Sequence, residues 1–411
     1  MNASRKTALP ILFYLLTMIF LYALSRTLHP VPGGDDEMFS NILKNKNLFT
    51  LIYERYLGWS GRITIEMLLI KTINIKIFWK AAIPLSILLL AYSAWKLFFF
   101  DIVRPYIAIP TGIMFFMLIT PSVNADAAWW ITGFYNYLLP VSCGAWSLVV
   151  LKNSATSHLS SKIIALMLLS ISCFSEQVAI LMITAAICIY FTKQNRKKYD
   201  IVFISLCLIL TGILLTAPGN AQRYAFEIKN SLPEFSSFNI IDKLMLGLDR
   251  LNHHLNDPEN IIVNILLLMT IAIAIRQKNL SSTDLVGIAF LIIKLCGFLL
   301  CHANLTMSEF IYNQHFFNAA SWFGYKIYTS FFFTLASVFS LILLSYKFID
   351  DNKTAIVSVV SLLTGCATVM MMSFSPTVYA SAQRILFAYE ICSLVALCAY
   401  VRHFLLSKSR K

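Results

Sequence analysis

The chain has 411 residues, 58% of them hydrophobic and only 13% charged, with a net charge of +13. Apolar runs near the roughly 20 residues that cross about 30 Å of hydrocarbon exclude a soluble globular protein and predict an all-α, polytopic transmembrane bundle. The basic surplus collects in short loops between those runs, which removes the support for a nucleic-acid surface.

The first apolar run, 8–27, follows Arg5 and Lys6. No small-residue cleavage site succeeds it, so it reads as a retained signal anchor. Further spans are expected near 78–97, 105–121, 137–152, 162–175, 178–192, 200–216, 261–275, 284–301, 326–346, 354–372 and 385–402, about twelve in all. With Arg5 and Lys6 in the cytoplasm, the basic loops around Lys96 and Arg104, Lys152 and Lys162, Lys193 to Lys198, Arg276 and Lys278, Lys347 and Lys353, and the tail from Lys408 fall there too. Both termini are then cytoplasmic.

The opposite face receives the segments 28–77, 121–136, 217–260, 302–325 and 373–384. None is long enough for a soluble domain, and there is no internal repeat, so 1–411 reads as a single polytopic domain. Residues 62–72 carry apolar side chains at helical spacing with Glu66 and Lys71 between them, which predicts a helix lying in the interface plane. Residues 239–255 are also part-amphipathic and are expected to cover a site from outside.

The residues with chemistry crowd that face. Asp35, Asp36 and Glu37 follow Pro32-Gly33-Gly34, a turn that fixes three carboxylates at the exit of the first span. An adjacent pair offers one base to deprotonate a hydroxyl and a neighbour to orient a sugar or hold a cation; the plain alternative is a solvated loop capping a helix. Trp59-Ser60-Gly61-Arg62 joins an indole to a cation. Asn124, Asp126, Trp129 and Trp130, with Gly133 and Asn136-Tyr137, join amides and a carboxylate to aromatic faces of the kind that bind sugars. Trp129 and Trp130 alone fit an interfacial aromatic belt equally well. Pro218-Gly219-Asn220 with Arg223, and Ser375-Pro376 with Arg384, present guanidinium forks matched to phosphate oxygens, or ordinary charge near lipid headgroups. Glu176 stands at a tight turn. His253, His254 and His302 lack metal-ligand spacing, and nine dispersed cysteines without CxxC spacing argue against a disulfide framework or a zinc site. Lys294 is the one basic residue near the middle of a strongly apolar run, 285–300.

Gly34-Asp35-Asp36-x-x-Phe39, Trp59-Ser60-Gly61-Arg62, Trp130-Ile-Thr-Gly133-x-x-Asn136-Tyr137, Ala217-Pro218-Gly219-Asn220-x-x-Arg223 and the stretch from Ser375 to Arg384 together resemble the polytopic family that includes phage-type serotype-converting O-antigen glucosyltransferases. Such proteins are similar to the wider GT-C superfamily, in which an acidic residue of the first external loop acts at the membrane face on a polyprenyl-phosphate sugar. The resemblance implies a bacterial inner-membrane enzyme with a periplasmic active site. Asp35 or Asp36 is the implied catalytic base, and Arg62, Arg223 and Arg384 are implied contacts to the donor phosphate. The expected activity is transfer of a hexose, with glucose foremost, from undecaprenyl phosphate to lipopolysaccharide O-antigen by inverting displacement. Glu37, Trp59, Asn124, Asp126, Trp129, Trp130, Asn136, Glu176, Asn220 and His302 complete the expected substrate-binding set. No cofactor is implied and no metal is demanded, although the three acids leave a divalent cation open. The expected partners are the lipid-linked donor, the glycan acceptor, membrane lipids, a sugar-loading enzyme and a small flippase. The competing expectations are an O-antigen polymerase and a flippase or transporter of a lipid-linked sugar.

Overall fold

The structure is a computed structural model that describes residues 3–43, 46–303, 310–311 and 324–409. Every element among the described residues is helical. In chain order these are α1 (Ala3–Thr27), α2 (Asp35–Asn41), α3 (Leu48–Gly58), α4 (Ile63–Thr72), α5 (Lys76–Ala94), α6 (Pro105–Phe116), α7 (Pro121–Asn124), α8 (Ile131–Asn136), α9 (Leu138–Lys152), α10 (Leu159–Cys173), α11 (Glu176–Thr192), α12 (Lys198–Leu215), α13 (Pro218–Asn230), α14 (Ile240–Leu255), α15 (Ile261–Ala274), α16 (Ser282–His302), α17 (Tyr325–Phe348), α18 (Asn352–Met370) and α19 (Phe387–Ser409).

Local chemistry sets many of the boundaries. Pro105 opens α6, where its missing N–H costs nothing. Capping boxes formed by Asn239 with Asp242 and Ser281 with Asp284 start α14 and α16, and at the start of α12 the Asp200 carboxylate accepts from Lys197 N at 2.8 Å. Eight helices among the described residues are long and apolar enough to cross a membrane. The predicted run 105–121 is instead broken, with a 96° bend between Pro105–Phe116 and Pro121–Trp129. The runs expected near 162–175, 178–192 and 261–275 are the shorter apolar helices Leu159–Cys173, Glu176–Thr192 and Ile261–Ala274.

The chain forms two compact units, Met1–Met117 with Ser122–Phe226, and Leu118–Pro121 with Glu227–Lys411. In the first, α9 is central: the span Ile131–Lys152 is 72% buried, with α5, α10 and α11 packed around it. By contrast α1 leaves Ile11, Leu12, Leu15, Leu16 and Met18 more than half exposed, the surface of a helix made to face lipid. In the second unit α19 holds the centre, with its span 83% buried against α18 and α15.

Each unit gathers its basic loops at one end. In the first, Lys193 Nζ donates to Leu151 O at 2.9 Å and to Ser154 Oγ at 2.5 Å, and pairs with Asp200 at 3.1 Å. The loops after α9 and α11 therefore meet. In the second, Lys347 pairs with Asp284 and donates to Ser281 Oγ at 3.3 Å, while the Arg276 guanidinium lies 5.2 Å from the Phe404 ring.

The segment 239–255, expected as an outer cover, is more deeply built in. Its capped start is exposed, but Asp249, Arg250, Asn252 and His254 on α14 are buried among α17, α18 and the turn after α18.

Candidate active site

The first-loop acids are set by a glycine turn. Gly33 has φ of +74°, the left-handed region that favours glycine, and Gly34 stands as the N-cap of α2. Asp35, Asp36 and Glu37 then occupy the first turn, where carboxylates complement the helix dipole. Glu37 Oε2 accepts from Gly33 N at 2.9 Å and locks the turn.

The adjacent pair divides into two roles. Asp36 is 2% exposed: its Oδ2 accepts from Val31 N at 3.0 Å, and its Oδ1 accepts from Thr132 N at 2.9 Å and Thr132 Oγ1 at 2.6 Å. It clamps the first loop to the start of α8. Asp35 is exposed, and its side chain makes no hydrogen bond or ion pair among the described residues. Of the two carboxylates named as base candidates, only Asp35 stands open to take a proton.

Thr132 begins a continuous polar chain. Asn136 Nδ2 donates to Thr132 O at 2.8 Å, and Arg62 Nη1 donates to Asn136 Oδ1 at 2.9 Å. Arg62 Nε then donates to the two Glu176 oxygens at 3.1 and 2.9 Å, with Nη2 2.8 Å from Oε2. Burial alone would pull the Arg62 guanidinium down, but the Glu176 carboxylate more than reverses this and holds it above its usual range. The fork predicted to grip phosphate is thus engaged by Glu176 and Asn136, so Arg62 acts as the keystone tying α4, α8 and α11.

Asn220 and Trp59 meet the same keystone. Gly61 N donates to Asn220 Oδ1 at 3.3 Å, and Asn220 Nδ2 donates to Leu214 O at 2.8 Å. A Cβ on Gly219 would lie 2.3 Å from Trp59 N, so the start of α13 touches the turn after α3 backbone to backbone. Trp59 packs edge-on against Phe226 at 5.6 Å, and the half-buried Arg223 guanidinium sits 5.8 Å from the indole. Arg223 also bears electrostatically on Glu176. Asp36, Trp59, Arg62, Asn136, Glu176, Asn220 and Arg223 therefore form one neighbourhood at the ends of α9, α11 and α12 remote from Lys193. Over the 17 residues of α11 the two ends are about 25 Å apart, given 1.5 Å of rise per residue.

The remaining candidates fall otherwise. Asn124 is buried at the end of α7, and Asp126 belongs to the wide π-helical turn Ala125–Trp129, where its carbonyl would lie 2.1 Å from a Cβ on Gly133. Trp129 stacks edge-on with Phe116 at 6.1 Å, and Trp130 is the N-cap of α8. Arg384 opens a 3-10 turn in the second unit. His302 ends α16, and its side chain lies outside the described residues. Among the described residues no three His, Cys, Asp or Glu side chains converge as metal ligands.

The second unit contains a polar interior that sequence reasoning largely missed. Lys294 Nζ donates to Asn256 Oδ1 and, at 2.9 Å, to Thr334 Oγ1. Asn252 Oδ1 accepts from Thr334 Oγ1 at 2.7 Å and from Ser330 Oγ at 3.1 Å. The buried His254 Nε2 lies 3.3 Å from Glu390 Oε1, which also accepts from Thr120 Oγ1 at 2.5 Å. Tyr379 Oη donates to Asp249 Oδ2 at 2.8 Å; burial first, and then that carboxylate, push the phenol above its ordinary range. Arg250 Nη2 donates to Ala382 O, the carbonyl of a residue with φ of +51°, and to Gln383 Oε1 at 3.2 Å. Glu390 was legible by the same criterion as Lys294, an ionisable group inside an apolar run. Asn252 and Asn256 were not, because amides in a loop-flanking helix carry no such signal.

No protein-family model, curated protein or solved structure matches the chain.

Proposed function

We propose that the chain is a membrane glycosyltransferase that moves a hexose, with glucose the expected sugar, from undecaprenyl phosphate to an O-antigen sugar on the periplasmic face of the bacterial inner membrane. The observation that carries this reading is the polar chain from Asp36 through Thr132, Asn136 and Arg62 to Glu176, which fixes the first-loop acids to the same scaffold as Trp59 and Arg223. Its position at the helix ends remote from the basic loops fits the outer face under the positive-inside rule. On this reading the three shorter apolar helices and the bent pair also cross, as part of a bundle of the GT-C type.

In the reaction, Asp35 takes the proton of the acceptor hydroxyl as that oxygen attacks the anomeric carbon. The bond from that carbon to the phosphate oxygen breaks, and its electron pair leaves with the lipid phosphate. A single displacement inverts the centre. Arg223 stabilises charge on the leaving phosphate, a contribution worth several kcal/mol when aimed at a developing anion. Trp59 offers an apolar face to the sugar ring. Asp36 and Arg62 hold the geometry, which is where orientation gains rate.

The test is expression in a bacterium of defined O-antigen, with mass spectrometry of the glycan. One added hexose per repeat unit is expected, and Asp35→Asn should abolish it, since a positioned base supplies about 10² to 10⁴ in rate. Altered chain length without added mass would instead establish a polymerase.

The buried Lys294 network favours a second reading, a flippase or transporter of a lipid-linked sugar, because ionisable groups inside a bundle mark transport paths. That reading requires lipid-linked sugar to change leaflet in vesicles without glycan modification.

A further inference from the structure

The end of α1 and the first two turns of α5 border an open cleft of about 420 Å³ lined by Arg26, Lys76, Ile77 and Lys80. Three of these four residues are cations, and none of the three pairs with a described carboxylate. α5 starts at Lys76 with no side-chain cap and no acid in its first turn. A helix N-terminus already carries partial positive charge, so Lys76 and Lys80 add repulsion to an end that favours anions. On the orientation proposed above the cleft also opens on the outer face, where the rule that collects Lys and Arg in cytoplasmic loops does not account for three of them. Apolar surface continues from it: Ile77 is 79% exposed, and Tyr22, one turn before Arg26, is 65% exposed.

We propose that this cleft binds the phosphate of a membrane lipid, with Arg26, Lys76 and Lys80 around the anion and the lipid chain lying along Tyr22 and Ile77. The cations alone would suit free phosphate equally well. The apolar continuation is what selects a phosphate carried on a chain. Binding here requires no transfer chemistry, so it stands or falls apart from the Asp35 mechanism.

The test uses the full-length chain in neutral detergent, titrated with dodecyl phosphate, dodecanol and inorganic phosphate, with bound molecules counted by native mass spectrometry. Dodecyl phosphate should bind, and dodecanol and inorganic phosphate should not bind at comparable concentrations. Each basic residue near a lipid surface is worth about 1 kcal/mol, or roughly fivefold, so the triple variant Arg26→Gln, Lys76→Gln, Lys80→Gln should weaken binding about a hundredfold. Lys76→Arg with Lys80→Arg should retain binding, and Lys229→Gln, an exposed charge elsewhere, should leave it unchanged. If the triple variant does not fold, Lys76→Gln alone, at an exposed position, should show the fivefold loss. Undiminished binding in the Gln variants, or equal binding of dodecanol, overturns the site. Inorganic phosphate binding as tightly as dodecyl phosphate overturns the lipid.

Discussion

At the scale of single residues, Asp35 and Asp36 are neighbours with opposite fates. Asp36 spends its carboxylate on three donors, two from Thr132, while Asp35 points into the open. An amide in place of Asp36 would turn one NH₂ toward a donor. Because a hydrogen bond to a charged group contributes about 1.5–3 kcal/mol, Asp36→Asn should lower stability by on the order of 2–3 kcal/mol. Asp35→Asn should cost at most the helix-dipole contribution of about 0.3–1 kcal/mol, a smaller fall in melting temperature than Asp36→Asn, and remove transfer. Thermal unfolding of both variants checks this, and equal melting temperatures would refute the division of roles. Arg62 shows the same lesson. Its charge is compensated by Glu176, and a partly buried pair broken on one side leaves the other charge stranded, so its loss acts through the scaffold before any substrate is involved.

Among the elements, the backbone contacts around the turn between α3 and α4 decide how closely α12 and α13 approach. Gly219 meets Trp59 N, and a Cβ on Gly61 would lie 2.3 Å from Leu214 O. Gly219→Ala should therefore cost about 1–3 kcal/mol, the range for forcing an extra methyl into a packed contact. Gly212 within α12 has nothing within 4 Å of its virtual Cβ, so Gly212→Ala should be neutral or stabilising by up to about 1 kcal/mol, the helix-propensity difference. Melting temperatures of the two variants should move in opposite directions, or Gly219 alone should move. The same close approaches explain why the Trp-Ser-Gly and Pro-Gly-Asn motifs were legible as turns while their mutual contact was not. Glycine marks that something comes near without naming what does.

For the whole molecule, each unit brings together basic loops that lie far apart in sequence, as Lys193 with Ser154 and Lys347 with Ser281 show. Reporter fusions after Asn153, Lys198 and Lys347 should all read cytoplasmic, and fusions after Lys46 and Asn230 should read on the opposite side. A cytoplasmic signal after Asn230 would remove the common outer face on which the proposed reaction depends. The apolar runs were readable because crossing hydrocarbon demands length and hydropathy, which are local properties of a segment. Helix starts at Asn239 and Ser281 were likewise encoded nearby, in capping boxes four residues long. What a segment cannot encode is which of two adjacent carboxylates finds Thr132, or that Glu176 and Asn136 occupy the Arg62 fork, since those partners stand 96, 114 and 74 residues away. The sequence by itself determined an apolar, all-helical chain with its polar motifs in a few loops. Only the tertiary structure decided which of those motifs share a scaffold, because hydrogen-bond partners are chosen by packing in space and not by position along the chain.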